Sequence, residues 1–190
     1  MRAFTKRFTA TLVAAMAFAT QAKAHDATFC VPVSQTLSEA ELNPAIVGFE
    51  TEAYGVGTIV IETNECALYF TKEDGTALRF RIAVGREGFA WSGESFIERK
   101  QVWPDWYPPQ EMIAREAEKG HFLPIMMPGG ENNPLGARAM YIAKTAYRIH
   151  GTNTPTSIGT HASSGCIRML NEQVKFLFEI VPVGAKVVVK

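Results

Sequence analysis

Leu78, Phe80, Ile82 and Val84 put a large apolar residue at every second position, alternating with Arg79, Arg81 and Ala83. Successive side chains of a strand point to opposite faces, so this period predicts a β-strand with one buried face. Such a face must be covered by a second layer. The surrounding sequence is of the same kind. Residues 57–62 (GTIVIE) and 66–71 (CALYFT) are rich in β-branched and aromatic residues and read as strands. Asp74-Gly75 is a hairpin turn signal leading into the alternating run. Residues 138–149 read as β structure that delivers His150 at its end, and residues 186–189 close the chain as a strand. Two helices interrupt this pattern. Pro108-Pro109 opens one that Gly120 ends. Asn171 is a candidate N-cap for the other, whose Val174, Leu177, Phe178 and Val181 make one apolar face. Residues 85–93 and 124–136 are loops by composition. The fold class is therefore mainly β with short helices, without the βαβα alternation of a doubly wound sheet. The expected body is residues 54–190, preceded by an irregular lead-in at 25–53.

Composition narrows the function classes. A 47% hydrophobic, 20% charged chain of 190 residues is neither disordered nor fibrous. Lys+Arg and Asp+Glu both number 19, which leaves no broad basic field for nucleic acid. Residues 1–24 read as a secretory signal peptide. Arg2, Lys6 and Arg7 are its basic start, an apolar run follows, and Ala22-Lys23-Ala24 is the cleavage site. The apolar run is shorter than the roughly 20 residues of a membrane span, so no stable span is expected after cleavage; a retained anchor helix is the alternative. Phe29 before Cys30 disfavours a lipoprotein signal. Removing residues 1–24 deletes Arg2, Lys6, Arg7 and Lys23 and no acid, which leaves 15 basic against 19 acidic residues and a net charge of −4. The expected location is the periplasm or cell envelope, where disulfides persist. Cleavage would also expose His25 as an N-terminal copper ligand, but no second His is placed to complete such a site.

The chemistry is concentrated in residues 150–169, HGTNTPTSIGTHASSGCIRM. A cysteine becomes a useful nucleophile when a neighbour lowers its pKa or takes its proton, and His suits that task near neutral pH. His150 and Cys166 are sixteen residues apart and need a folded loop to meet. Gly165 permits a tight turn that aims main-chain N–H groups at an oxyanion. Arg168 suits a carboxylate. Other readings stay open on these residues. Three cysteines leave one unpaired; Cys30–Cys66 is the natural bridge if only one forms, but Cys166 could pair with either. His161 is a second candidate base or a solvated loop residue, and His121 reads as structural or exposed. Trp91, Trp103 and Trp106 are core aromatics or a groove wall.

The same stretch resembles the signature of the L,D-transpeptidase (YkuD domain) family of cell-wall enzymes. The matching residues are His150-Gly151-Thr152, Ser157-Ile158-Gly159 and Ser163-Ser164-Gly165-Cys166-Ile167-Arg168. Asn133-Pro134-Leu135-Gly136-Ala137-Arg138, Gly85-Arg86-Glu87-Gly88 and Val181-Pro182-Val183-Gly184 are also similar. The resemblance implies a β-sandwich or barrel-like catalytic domain. It implies Cys166 as nucleophile, His150 as general base, the Gly151 carbonyl as the group orienting that His, and Gly165 in the oxyanion region. Arg168, Ser164 and Ser163 are then candidates for substrate binding. Many members carry His where this chain has Ser164, so any oxyanion role of that His passes to the Ser164 hydroxyl or to main-chain N–H groups. The implied substrate is the peptidoglycan stem peptide, joined third residue to third residue through a Cys thioester, with inhibition by carbapenems. The acceptor could also be water or a Lys of an envelope protein, and a non-catalytic wall-binding module is a further alternative. No cofactor or metal is implied; HEXXH and paired-Cys motifs are absent.

Overall fold

The computed structural model describes residue 30 and residues 43–86, 91–161 and 163–190. The signal peptide, His25 and the 87–88 part of the Gly85-Arg86-Glu87-Gly88 motif lie outside the described residues. Nine strands run β1 (Ala45–Gly48), β2 (Ile59–Glu62), β3 (Ala67–Thr71), β4 (Thr76–Arg81), β5 (Gly93–Val102), β6 (Arg138–Ile142), β7 (Arg148–His150), β8 (Ile167–Arg168) and β9 (Lys186–Val189). Helices α1 (Thr51–Tyr54), α2 (Gln110–Glu118) and α3 (Asn171–Ile180) accompany them. The sheet order is β1-β4-β3-β2-β9-β5-β6-β7-β8.

The alternating run forms β4 and continues past it. Phe80 and Ile82 are fully buried in the main core with Ile61, Leu68, Ile97, Met140, Ile149 and Val187. Arg79 and Arg81 are only partly buried, as the period requires, but Ala83 is fully buried. It packs with Ile158 and Leu170 in a separate small cluster. The reason is that the chain after β4 is covered on both faces. Ala83 exchanges two backbone hydrogen bonds with Arg168, each of 2.9 Å. Thus β8, at the far edge of the sheet, reaches back to the segment following β4, and the sheet curls onto itself.

β9 lies in mid-sheet, parallel to β2 and antiparallel to β5. β5 pairs with β9 through Gly93–Phe96 and with β6 further on, with a register shift between Ile97 and Arg99 where it changes partner. On α3, Val174 and Leu177 enter the core while Phe178 is partly buried against it.

Two expectations about local structure are corrected. The lead-in is not irregular throughout: Ala45–Gly48 pairs antiparallel with β4, and Thr51–Tyr54 is a helical turn. Their job is to cover the second face of the sheet, where Val60, Tyr69 and Ala77 are buried under Phe49 and Tyr54. Phe49 stacks on Tyr69 with ring centroids 4.7 Å apart. Nor does Asn171 cap α3: Leu170 holds the cap position, and no side chain caps that end. Among the described residues no helix is long and apolar enough to cross a membrane.

Candidate active site

β7 and β8 are short parallel neighbours, with Ile149 opposite Ile167 and His150 opposite Arg168. Registered residues of parallel strands share a face. Ile149 and Ile167 point into the main core. His150 and Arg168 therefore occupy the other face; Cys166 stands just before β8, and its thiol acts electrostatically on Arg168.

His150 is 3% exposed. Its Nδ1 lies 2.6 Å from the Gly151 carbonyl oxygen. A carbonyl only accepts, so Nδ1 donates to it, and a second backbone contact, from Leu135, also favours the protonated ring. Burial, reinforced by the Arg168 charge, pulls the imidazole down from 6.5 to about 3, with the Gly151 bond opposing. The ring is neutral at pH 7 and able to accept a proton.

Cys166 is a free, partly exposed thiol. Ser163 shapes the turn that presents it. The Ser163 hydroxyl donates to the Cys166 carbonyl at 2.6 Å and accepts from Gly165 N–H at 3.1 Å. Gly165 has φ +105°, a conformation open to glycine and strained for other residues. Ser163 is 1% exposed and its hydroxyl is engaged inside the turn, where it braces the loop. The Gly165 N–H is likewise engaged, whereas neither the Ser164 nor the Cys166 N–H has a hydrogen-bond partner among the described residues. Ser164 is partly exposed. Arg168 is partly buried, and both Cys166 and Arg86 act on its charge. Among the described residues no hydrogen bond joins the Cys166 thiol to His150.

A narrow cleft beside Gly165 is lined by Val84, Gly85, Trp91, Tyr147 and Ile167. Trp91 sits 6.4 Å from the Tyr147 ring and packs on the main core. The other two tryptophans are elsewhere: Trp106 forms a two-way backbone bridge with Met127, and the Trp103 backbone lies against Gly129. The three do not form one cluster.

Cys30 and Cys66 are joined by a disulfide. Cys30 N–H also donates to Gly159 O at 3.2 Å, so the bridge staples the lead-in to the loop before the free thiol. His161 belongs to this staple, with Nε2 3.1 Å from Cys30 Sγ. Among the described residues the one cluster of metal-ligand type is Cys30, Cys66 and His161, and its sulfurs are bonded to each other. His121 is exposed against Glu116.

Asn133 and Asn171 were not singled out as site residues by sequence. The Asn133 side chain is 1% exposed and donates to the carbonyls of Pro104, Met127 and Pro128 while accepting from Leu135 N–H. It turns the 124–136 segment into an ordered wall beside His150. The glycines at 136 and 151, each next to a polar motif, were the available signal for a close approach.

The sequence model of the L,D-transpeptidase catalytic domain, YkuD, matches residues 57–189. The chain belongs to the L,D-transpeptidase family. Over 134 residues it is 41% identical to "Probable L,D-transpeptidase YbiS" of Escherichia coli K12, covering 68% of this chain and 43% of that protein. It is 33% identical over 183 residues to "Putative L,D-transpeptidase in ATP synthase subunits region ORF 5" of Fuscovulum blasticum, covering 92% of this chain and 94% of that one. The solved catalytic domain of an Enterococcus faecium L,D-transpeptidase aligns with a TM-score of 0.53 at 21% identity, over 70% of this chain and 96% of that one. That likeness is one of fold. The chain spans less than half the length of its E. coli relatives. Membership of the L,D-transpeptidase family fixes the mainly β catalytic-domain fold.

Proposed function

We propose that this protein is a peptidoglycan L,D-transpeptidase that works through a thioester on Cys166. The observation that carries the reading is the 2.6 Å bond from His150 Nδ1 to the Gly151 carbonyl, in a chain whose free thiol lies two residues before Arg168, the register partner of His150. It gives the imidazole the tautomer a general base needs, as a carboxylate does in a serine triad.

His150 Nε2 takes the thiol proton as Cys166 Sγ attacks the carbonyl carbon at the L-centre of the stem's third residue, a diamino acid. The Cys166 and Ser164 N–H groups are the turn's donors for the oxyanion. Collapse breaks the C–N bond, the His150 proton goes to the leaving D-alanine amine, and a thioester remains. The side-chain amine of a second stem then attacks the thioester carbon. His150 takes its proton, and the thiol is regenerated with a new amide joining two third residues. Because the free imidazole is neutral, proton removal accompanies attack and does not precede it. Arg168, on the same face, supplies a positive charge for a stem carboxylate. Peptidoglycan places the protein in the cell envelope, which agrees with the expected export signal and the disulfide.

The test is to incubate the mature protein with defined tetrapeptide muropeptides and weigh the products. Cross-linked dimers from wild type and none from Cys166→Ala are expected. Trimmed monomers without dimers would reject transfer in favour of hydrolysis, and unchanged turnover in Cys166→Ala would reject the nucleophile.

A further inference from the structure

Asn171 begins α3, where an asparagine ordinarily caps the helix. Here the side chain turns away from its own helix. Its Oδ1 accepts from Ala137 N–H at 3.0 Å and Thr152 N–H at 3.2 Å, and its Nδ2 donates to Thr152 O at 3.0 Å. One amide thus joins the chain entering β6, the chain leaving β7 and the start of α3. Two glycines make room for it. A Cβ on Gly136 or on Gly151 would lie 2.2 Å from Asn171 Oδ1, and Gly136 has φ +62°.

The decisive relation lies in a single peptide unit. The Gly151 C=O and the Thr152 N–H are the two ends of one planar group. The carbonyl end accepts from His150 Nδ1, and the N–H end donates to Asn171 Oδ1. A peptide held at its N–H cannot rotate its C=O away from the imidazole. Chained hydrogen bonds also polarise one another, which makes that carbonyl a better acceptor.

We infer that Asn171 is a positioning residue, which fixes the tautomer and orientation of His150 by holding the Gly151–Thr152 peptide plane. Among the described residues no hydrogen bond joins the Asn171 side chain to Cys166; it does through a peptide what a carboxylate does by direct contact. The inference rests on His150 serving as the base for Cys166, but not on the identity of the substrate.

The experiment therefore uses readouts that need no peptidoglycan. Histidine-ring ¹⁵N spectra of the mature protein, with His150 assigned by His150→Gln, report the tautomer. Iodoacetamide alkylation of Cys166 reports its reactivity. Asn171→Ala is expected to lose the Nδ1-protonated signature of His150 and to slow alkylation about tenfold. Asn171→Asp keeps an oxygen for both N–H donors, and is expected to restore the signature and most of the rate. With muropeptides, Asn171→Ala should lower kcat and leave KM near wild type. Wild-type tautomer and rate in Asn171→Ala would overturn the inference, as would equal impairment of both readouts in the two variants. Should Asn171→Ala not fold, loss of the signature in a folded Asn171→Asp would overturn it alone. If wild type makes no cross-links yet the tautomer still depends on Asn171, the substrate reading fails and this one stands.

Discussion

The Ser163 hydroxyl donates to the Cys166 carbonyl at 2.6 Å, three residues along the chain, and closes the turn that holds the free thiol at the surface. The same oxygen receives the Gly165 N–H, so one buried hydroxyl satisfies two backbone groups. Ser163→Ala strands both. It should lower stability by about 1–3 kcal/mol, read from the urea midpoint, and should slow Cys166 acylation because the turn loosens. An unchanged midpoint would show that the turn holds without this bond.

Cys166 is the free cysteine, and the bridged pair does not react as thiols. One carbapenem adduct per native chain is expected by intact mass, and none on Cys166→Ala. Turnover of Cys166→Ala should fall roughly a million-fold, the scale seen when a covalent nucleophile is removed. Two adducts, or an adduct on the variant, would contradict the disulfide assignment.

The His150 imidazole links stability to pH. Unfolded, it titrates near 6.5; folded, it stays neutral down to about 3. Between those values the unfolded chain binds a proton that the folded chain refuses. The contribution is fully present above pH 6.5 and is lost as pH falls through this window, at about 1.4 kcal/mol per unit. The wild-type urea midpoint should fall more steeply from pH 6.5 to 4 than that of His150→Gln. Parallel slopes would show that the ring titrates normally.

The bridge spans a sequence separation of 36 residues. Loop-closure entropy for a ring of that size is about 4 kcal/mol. Cys30→Ser should lower the thermal midpoint accordingly and raise the exchange of backbone amides in the 157–161 loop, which the bridge pins through Gly159. Equal exchange in both proteins would detach the staple from the loop.

Gly136 approaches Asn171 and the Thr152 backbone so closely that a Cβ would lie 2.2 Å and 2.4 Å from them. Gly136→Ala should destabilise by about 2 kcal/mol or more, from overpacking and from its positive φ together. Gly130→Ala, with open space around its Cβ position, is the control and should be near neutral.

Much of this was readable from residues 54 onward because it is local. The alternation at Leu78–Val84, the Asp74-Gly75 turn and the apolar face of α3 each carry their signal within a dozen residues. What escaped is non-local. Asn171 looked like a cap because its true partners, Ala137 and Thr152, come from 34 and 19 residues upstream. Ala83 looked solvent-facing because nothing near it announces the return of β8. The 45–54 segment looked irregular because its order comes from Tyr69 and β4, not from its own period. The family signature names His150 and Cys166 as a candidate pair, whereas the use of Ser163 as a turn brace and the engagement of the Gly165 N–H required coordinates.

Among the described strands β9 comes last in the sequence, yet it stands in the middle of the sheet between β2 and β5. It joins the half bearing the disulfide to the half bearing His150, and the Ala83–Arg168 hydrogen bonds join the two halves a second time. Neither half can slide along the other without breaking both seams.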